Sequence, residues 1–133
     1  MPHIHVSIVT PEATAFEQEV ESIVVPMIDG ELGILSGHAP MIGRLGPGEL
    51  RAREGSNVHR FYVDGGFVQV DNNRVSVLTG NCLPASQINI SQAKSDLARA
   101  RELTADKPEQ MALKRKSVAQ AVAQIRIAEK IQA

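Results

Sequence analysis

The sequence predicts an all-β sandwich over residues 1–85, followed by an antiparallel two-helix hairpin over residues 86–133. Three observations carry this. All ten glycines fall at or before Gly80, so turn chemistry is confined to the first part of the chain. Within that part, short apolar runs are broken by Gly, Pro, Asn or Asp about every 8–12 residues, the rhythm of a sandwich or flattened barrel. From Ser86 onward Ala, Gln, Lys, Arg and Leu take over, and these residues favour helix.

Ile4, Val6 and Ile8 alternate with His3, His5 and Ser7, the period of a half-buried strand, and Thr10-Pro11 ends it. Ile23-Val24-Val25 is a second run, closed by Pro26, and Asp29-Gly30 supplies a turn. Leu32 to Leu35 is bounded by Gly37 and Pro40. Gly46-Pro47-Gly48 reads as a further turn leading into a strand over Glu49 to Arg53. Glu54-Gly55-Ser56-Asn57 separates that strand from Val58 to Val63. Gly65-Gly66 precedes Phe67 to Val70, and Asp71-Asn72-Asn73 joins that run to Arg74 through Leu78 as a hairpin. The pattern amounts to about eight to ten short strands.

In the helical part, Ser91 is a candidate N-cap, and Ala93, Leu97, Ala100 and Leu103 recur at helical spacing. Thr104-Ala105-Asp106-Lys107 breaks the pattern, and Pro108 suits the first turn of a second helix. There Met111, Val118, Ala121, Val122 and Ile125 form one stripe, widened by Ile127 and Ile131. A short loop between two helices implies antiparallel packing. The facing residues are mostly alanine, so at roughly 25 cal/mol per Å² the seam is weak and the hairpin is expected to be mobile.

Composition narrows the function. Hydrophobic residues are 43%, enough for a core, while aromatics are only 3%, which argues against base stacking on single-stranded nucleic acid. Residues 1–85 carry five basic and ten acidic side chains, residues 86–133 nine and five. The halves therefore offer surfaces of opposite sign, suited to different partners or simply to basic solvated helices. The Lys114-Arg115-Lys116 run is too small for a duplex-binding footprint. Cys82 is the single cysteine, so no internal disulfide forms, and no basic-then-apolar leader opens the chain. A soluble protein of a reducing compartment is expected.

No motif organises chemistry. His3 and His5 share one face of a strand, yet no third ligand lies near them in sequence, so both are expected to face water. Cys82 has no adjacent charge and reads as a packing residue. No nucleophile elbow or phosphate-binding loop occurs.

The most unusual stretch is Gly30-Glu31-Leu32-Gly33-Ile34-Leu35-Ser36-Gly37-His38-Ala39-Pro40. Positive φ angles account for its glycines but not for Glu31 and His38, polar and expected at the surface. Here the chain closely resembles the epsilon subunit of F-type ATP synthases, called delta in mitochondria. The resemblance rests on Pro26 with Gly30 to Pro40, Gly48 after Leu45, Gly65-Gly66-Phe67-Val68-Gln69-Val70, and Val75 to Leu78. It continues more loosely in Ala121-Val122-Ala123-Gln124-Ile125-Arg126-Ile127-Ala128 and covers essentially the whole chain.

The resemblance implies a flattened sandwich of about ten strands and a non-catalytic rotor subunit at the foot of the central stalk. Its partners would be the gamma subunit and the ring of c subunits, with no nucleic acid and the membrane met only through the complex, on the cytoplasmic face of the inner (plasma) membrane. Glu31 and His38 would belong to the c-ring contact. The hairpin would permit turnover when folded down and block ATP hydrolysis when extended, its basic side chains Arg99, Arg101, Lys114, Arg115, Lys116 and Arg126 meeting the alpha and beta subunits transiently. Some family members bind ATP at the start of the first helix through Ile or Leu, Asp, two variable residues, Arg and Ala. Here Ile90 is followed by Ser91, Lys94 and Ser95 at the Asp, Arg and Ala positions, and Lys does not replace the planar Arg fork, so no cofactor is expected. Two alternatives remain from the residues alone: a free-standing small-molecule or nucleotide sensor with a helical lid, and a metal enzyme using His3, His5, His38 and His59.

Overall fold

Ile4, Val6 and Ile8 all turn inward and are fully buried, as their alternation requires. They belong to β1 (Ile4–Val9), the first of eight strands in a computed structural model that describes residues 2–132. The others are β2 (Thr14–Val20), β3 (Ser22–Met27), β4 (Gly30–Leu35), β5 (Met41–Glu54), β6 (Asn57–Asp71), β7 (Arg74–Leu78) and β8 (Cys82–Pro84). Their hydrogen-bonded order is β2-β1-β7-β6-β5-β3-β4, with β8 on β6. All pairs are antiparallel except β1 with β7.

The turn expected at Gly46-Pro47-Gly48 is not a turn, and Gly65-Gly66, expected to precede a separate run, does not interrupt its strand. Both lie inside long strands, 14 residues in β5 and 15 in β6, paired from Met41↔Val70 to Glu54↔Asn57. What happens there is a change of face. Before the kink Met41, Gly43 and Leu45 turn inward; after it Leu50 and Ala52 do. In β6 the inward residues pass from Phe61 and Val63 to Val68 and Val70. The pairing keeps one register through the bend, from Leu45↔Gly66 to Pro47↔Asp64, so both strands change face together and both halves point their apolar side into a single core. Counting each bent strand as two pieces recovers ten from the eight continuous ones.

Glycine is needed at the bend for two separate reasons. Gly65 and Gly66 adopt φ of 80° and 113°, and a Cβ on Gly66 would overlap the Leu78 carbonyl oxygen. Gly48 lies against the buried Pro26, where an added Cβ would come within 2.7 Å of the proline Cβ. Pro26 in turn sits where the β3–β5 register shifts, between Val24 and Met27, and so loses no ladder bond.

β2 has no counterpart among the expected strands. Phe16, Gln18 and Val20 face inward, but Glu17 and Glu19 between them hide the alternation. Pairing with β1, from Ile4↔Val20 to Val9↔Thr14, supplies the order that its own apolar content does not.

The second compact unit starts at Ala85. A 3₁₀ turn over Ala85–Gln87 leads to α1 (Ile90–Arg101), and α2 runs from Pro108 to Gln132. Asn89, not Ser91, caps α1: its side-chain oxygen accepts the Gln92 N–H at 3.0 Å. Ala93 and Ala100 on α1, and Ala121 and Ala128 on α2, are buried at a spacing of seven residues, two helical turns. Small residues at that spacing give the alanine seam. Of the apolar residues expected beside it, Ile127 is buried, whereas Leu103, Met111 and Ile131 are exposed.

Gly66→Ala is expected to lower stability by about 2–4 kcal/mol, since strain and backbone overlap coincide there. Gly33→Ala, in open space and outside the positive-φ set, is expected to stay within about 1 kcal/mol. Urea unfolding of the two variants checks the contrast.

Candidate docking surfaces

β4 ends the sheet order, so one of its edges carries no strand. Glu31 projects from it and reaches past β3 to Arg51 on β5. The pair is bidentate, Nη1 to Oε2 at 2.9 Å and Nη2 to Oε1 at 3.3 Å. Arg51 stands directly opposite Arg60 across β5 and β6, an unfavourable like-charge pair. Glu49 resolves it. Its carboxylate, with the side chain only 6% exposed, accepts from Arg51 at 2.9 Å and from Arg60 at 3.4 Å. The Glu31 hydrogen bond raises the Arg51 guanidinium above its ordinary value, burial opposes that, and Glu49 adds to it. Glu31 is exposed as expected, but it is a clamped carboxylate.

His38 lies in the loop from Ser36 to Pro40 and is half-buried rather than exposed. Its N–H donates to the Leu35 carbonyl at 3.2 Å, and its Nδ1 pairs with the Ala39 carbonyl at 2.7 Å. The preceding Gly37 has φ of 85°, and its N–H donates to Asn73 Oδ1 at 2.8 Å. Glu31 and His38 are not brought together. At ~3.3 Å per residue the strand from Glu31 to Leu35 alone spans ~13 Å, so they mark opposite ends of β4.

A third surface escaped the sequence reading. On the outer sheet face Val9 pairs with Leu78, Leu78 with Phe67, and Phe67 with Arg44, one row across β1, β7, β6 and β5. Leu78 is 55% exposed, Phe67 51%, and Ile42, two residues from Arg44 on the same face, 73%. The available signal was strand alternation itself: Phe67 alternates with Val68 and Val70, and Leu78 with Val75 and Val77, so both stand on the opposite face.

The basic side chains of the hairpin do not share one face. Arg99 and Arg101 are two residues apart, which at about 100° per residue places them on nearly opposite sides of α1. Arg99 also pairs with Asp96 at 3.2 Å. Lys114, Arg115 and Lys116 fan around α2, and Arg126, eleven residues on, returns to the side of Arg115. The stems of Lys114 and Arg115 border an apolar trough lined by Met111, Val118 and Val122. At the start of α1, Ser91, Lys94 and Ser95 are exposed and Ile90 half-buried. The neighbouring Gln92 and Asp96 bond each other at 2.9 Å.

The histidines are scattered. His5 pairs with Glu17 at 2.9 Å, while His59 packs on Phe16 with ring centres 5.2 Å apart. Among the described residues no three His, Cys, Asp or Glu side chains are grouped to hold a metal. Cys82 is half-buried against the core, and burial pushes its thiol up to about 11. The unfolded thiol ionises first, so this group costs stability only as pH rises from about 9 towards 11. No helix among the described residues is long and apolar enough to cross a membrane.

An edge strand, a polar loop, an exposed apolar row and a basic hairpin are surfaces of the kind that dock other proteins. Comparison with known proteins identifies the family. The family model described as ATP synthase, Delta/Epsilon chain, beta-sandwich domain matches residues 3–85. The ATP synthase epsilon chain of Rhodopirellula baltica is 44% identical over 119 residues, covering 90% of this chain and 93% of that one. That of Dehalococcoides mccartyi is 37% identical over 133 residues, covering 98% and 95%. Among solved structures, a chain of the Euglena gracilis mitochondrial ATP synthase superposes with a TM-score of 0.79 at 21% identity, covering all of this chain and 83% of its own. A chain of the Tetrahymena thermophila ATP synthase central stalk and c-ring gives 0.70 at 20% identity, covering 98% and 96%. The chain belongs to the ATP synthase delta/epsilon family, a family of non-catalytic subunits.

Arg51→Met is expected to cost about 1–3 kcal/mol by unbalancing Glu49 and releasing Glu31. Arg51→Lys is expected to recover less than half of that, because an ammonium cannot grip Glu31 with two parallel bonds. Urea unfolding of the full chain measures both.

Proposed function

We propose that this chain is a central-stalk subunit of an ion-translocating ATP synthase, peripheral to the membrane on its cytoplasmic face. In this role it couples the ring of c subunits and the gamma subunit to the catalytic head. The observation that carries the reading is the exposed Val9–Leu78–Phe67 row, flanked by Ile42, on a sandwich of this family. An apolar strip across four strands suits a permanent partner, and gamma is the one this reading assigns to it. Family membership also sets aside the free-standing sensor and the metal enzyme.

The His38 loop and the Glu31 edge of β4 are assigned to the c-ring. Both are polar, and they flank one strand, so a partner surface contacting both has to extend along β4. The clamped Glu31 offers a fixed partial charge, which favours specificity over raw affinity.

The hairpin is assigned the regulatory role. Its seam is alanine, so little apolar area holds any one arrangement, and two states can lie close in free energy. Arg115 and Arg126, on one side of α2, are the best placed to meet acidic segments of the alpha and beta subunits in an extended state. ATP binding by this chain forms no part of the proposal, since the family's Asp and Arg are Ser91 and Lys94 here.

Phe67→Ser combined with Leu78→Ser is expected to weaken binding to a gamma-containing head complex by about 10- to 100-fold, as loss of apolar burial costs ~1.4 kcal/mol per decade. Wild-type affinity in that variant overturns the assignment of the row. In the same complex, ATP hydrolysis is compared for the full chain and for a chain ending at Pro84. Inhibition by the full chain alone is expected, and replacing Lys114, Arg115 and Lys116 with Gln is expected to relieve it. Equal hydrolysis with both chains removes the regulatory role.

A further inference from the structure

We infer that Asn73, in the β6–β7 turn, is the positioning residue of the His38 loop, and that turn and loop form one composite docking end. The inference rests on the assignment of that loop to a membrane-ring contact. The partner surface it fits is a polar loop, since Gly37, His38, Pro40, Asn72 and Asn73 line one mainly polar cleft.

The β6–β7 turn has an unusual local chemistry. Asn72 and Asn73 adopt φ of 50° and 62°, the positive pair that defines a two-residue type I′ hairpin. The second of these positions favours glycine, and an asparagine there is tolerated rather than preferred. A turn selected for its own geometry would read Asn-Gly. Asn73 is explained by what its side chain reaches: its Oδ1 accepts the N–H of Gly37 at 2.8 Å, from a residue 36 positions away. Its backbone carbonyl meanwhile accepts the N–H of His5 at 2.8 Å. One residue therefore ties the loop after β4 to the turn after β6 and to the start of β1.

The consequence falls on His38. Gly37, at φ of 85°, is the joint of the loop, and fixing its amide fixes the direction in which the chain enters His38. The ring is then held by its own Nδ1 contact to the Ala39 carbonyl, 2.7 Å away. Without the latch the loop keeps only the His38 N–H bond to Leu35, at 3.2 Å, among its described backbone contacts.

The test uses the full chain with Asn73→Gly, Asn73→Asp and His38→Ala. Gly suits the turn but removes the acceptor; Asp keeps an acceptor oxygen and tolerates the turn. Three quantities are read: the melting temperature, hydrogen exchange at the Gly37 amide, and ATP-driven ion pumping by synthase membranes stripped of this subunit and reconstituted. Asn73→Gly is expected to leave the melting temperature unchanged or higher, to speed Gly37 exchange about three- to ten-fold, as loss of one net hydrogen bond does, and to reduce pumping several-fold. Asn73→Asp is expected to restore both. Unchanged Gly37 exchange in Asn73→Gly, faster exchange with full pumping, or equal loss in both Asn73 variants overturns the latch. Full pumping with His38→Ala overturns instead the docking assignment beneath it, so the two failures are separable.

Discussion

Two long strands have to turn their apolar side into one core from both halves of their length, and every other feature of the sandwich follows from how they do it. The inward residues have one parity before the bend (Leu45, Val68) and the other after it (Leu50, Val63). The bend at Gly46-Pro47-Gly48 and Gly65-Gly66 exchanges the faces of both strands together, so Leu45 and Val68 join Leu50 and Val63 in one core cluster. Bulky residues are excluded at that point by the Leu78 carbonyl on one side and Pro26 on the other. The glycines are therefore a packing requirement as much as a conformational one.

The same bend makes the surfaces proposed for docking. Because Val68 and Val70 are committed to the core, Phe67 and Gln69 have to face out, and Phe67 meets Leu78 and Arg44 in the exposed row. Beyond the bend the parity reverses, so Glu49, Arg51 and Arg60 share the outer face and form a charge ladder that Glu31 joins from the edge strand. One sheet thus presents an exposed apolar strip on one half and a charge ladder built around a buried Glu49 on the other. Association through the first draws on area and through the second on geometry, which is how one small domain can hold one partner firmly and meet another specifically.

The two units of the chain differ in what holds them. The sandwich buries Val, Ile, Leu and Phe side chains, each contributing about 1.5–3 kcal/mol, and closes its ladder on nearly every strand. In the two helices the buried residues are four alanines and Ile127, while Leu103, Met111, Leu113 and Ile131 are exposed. Small buried apolar area is the property expected of an element that rearranges. The exposed residues are also what a second arrangement could bury.

Periodicity and composition by themselves determined the division of the chain, the inward residues of β1, the runs that become β3, β4 and β7, and the hairpin with Pro108 opening its second helix. These are local properties, readable from neighbours in sequence. Tertiary structure alone decided that the Gly-Pro-Gly and Gly-Gly segments bend strands instead of ending them, since either outcome satisfies the same φ angles. It decided β2, whose two glutamates conceal a strand held by β1. It decided that Glu31 is clamped by Arg51 and that Asn73 holds Gly37, contacts across 20 and 36 residues. Such pairs depend on register between strands far apart in the chain, and no property of either residue alone encodes which partner it meets.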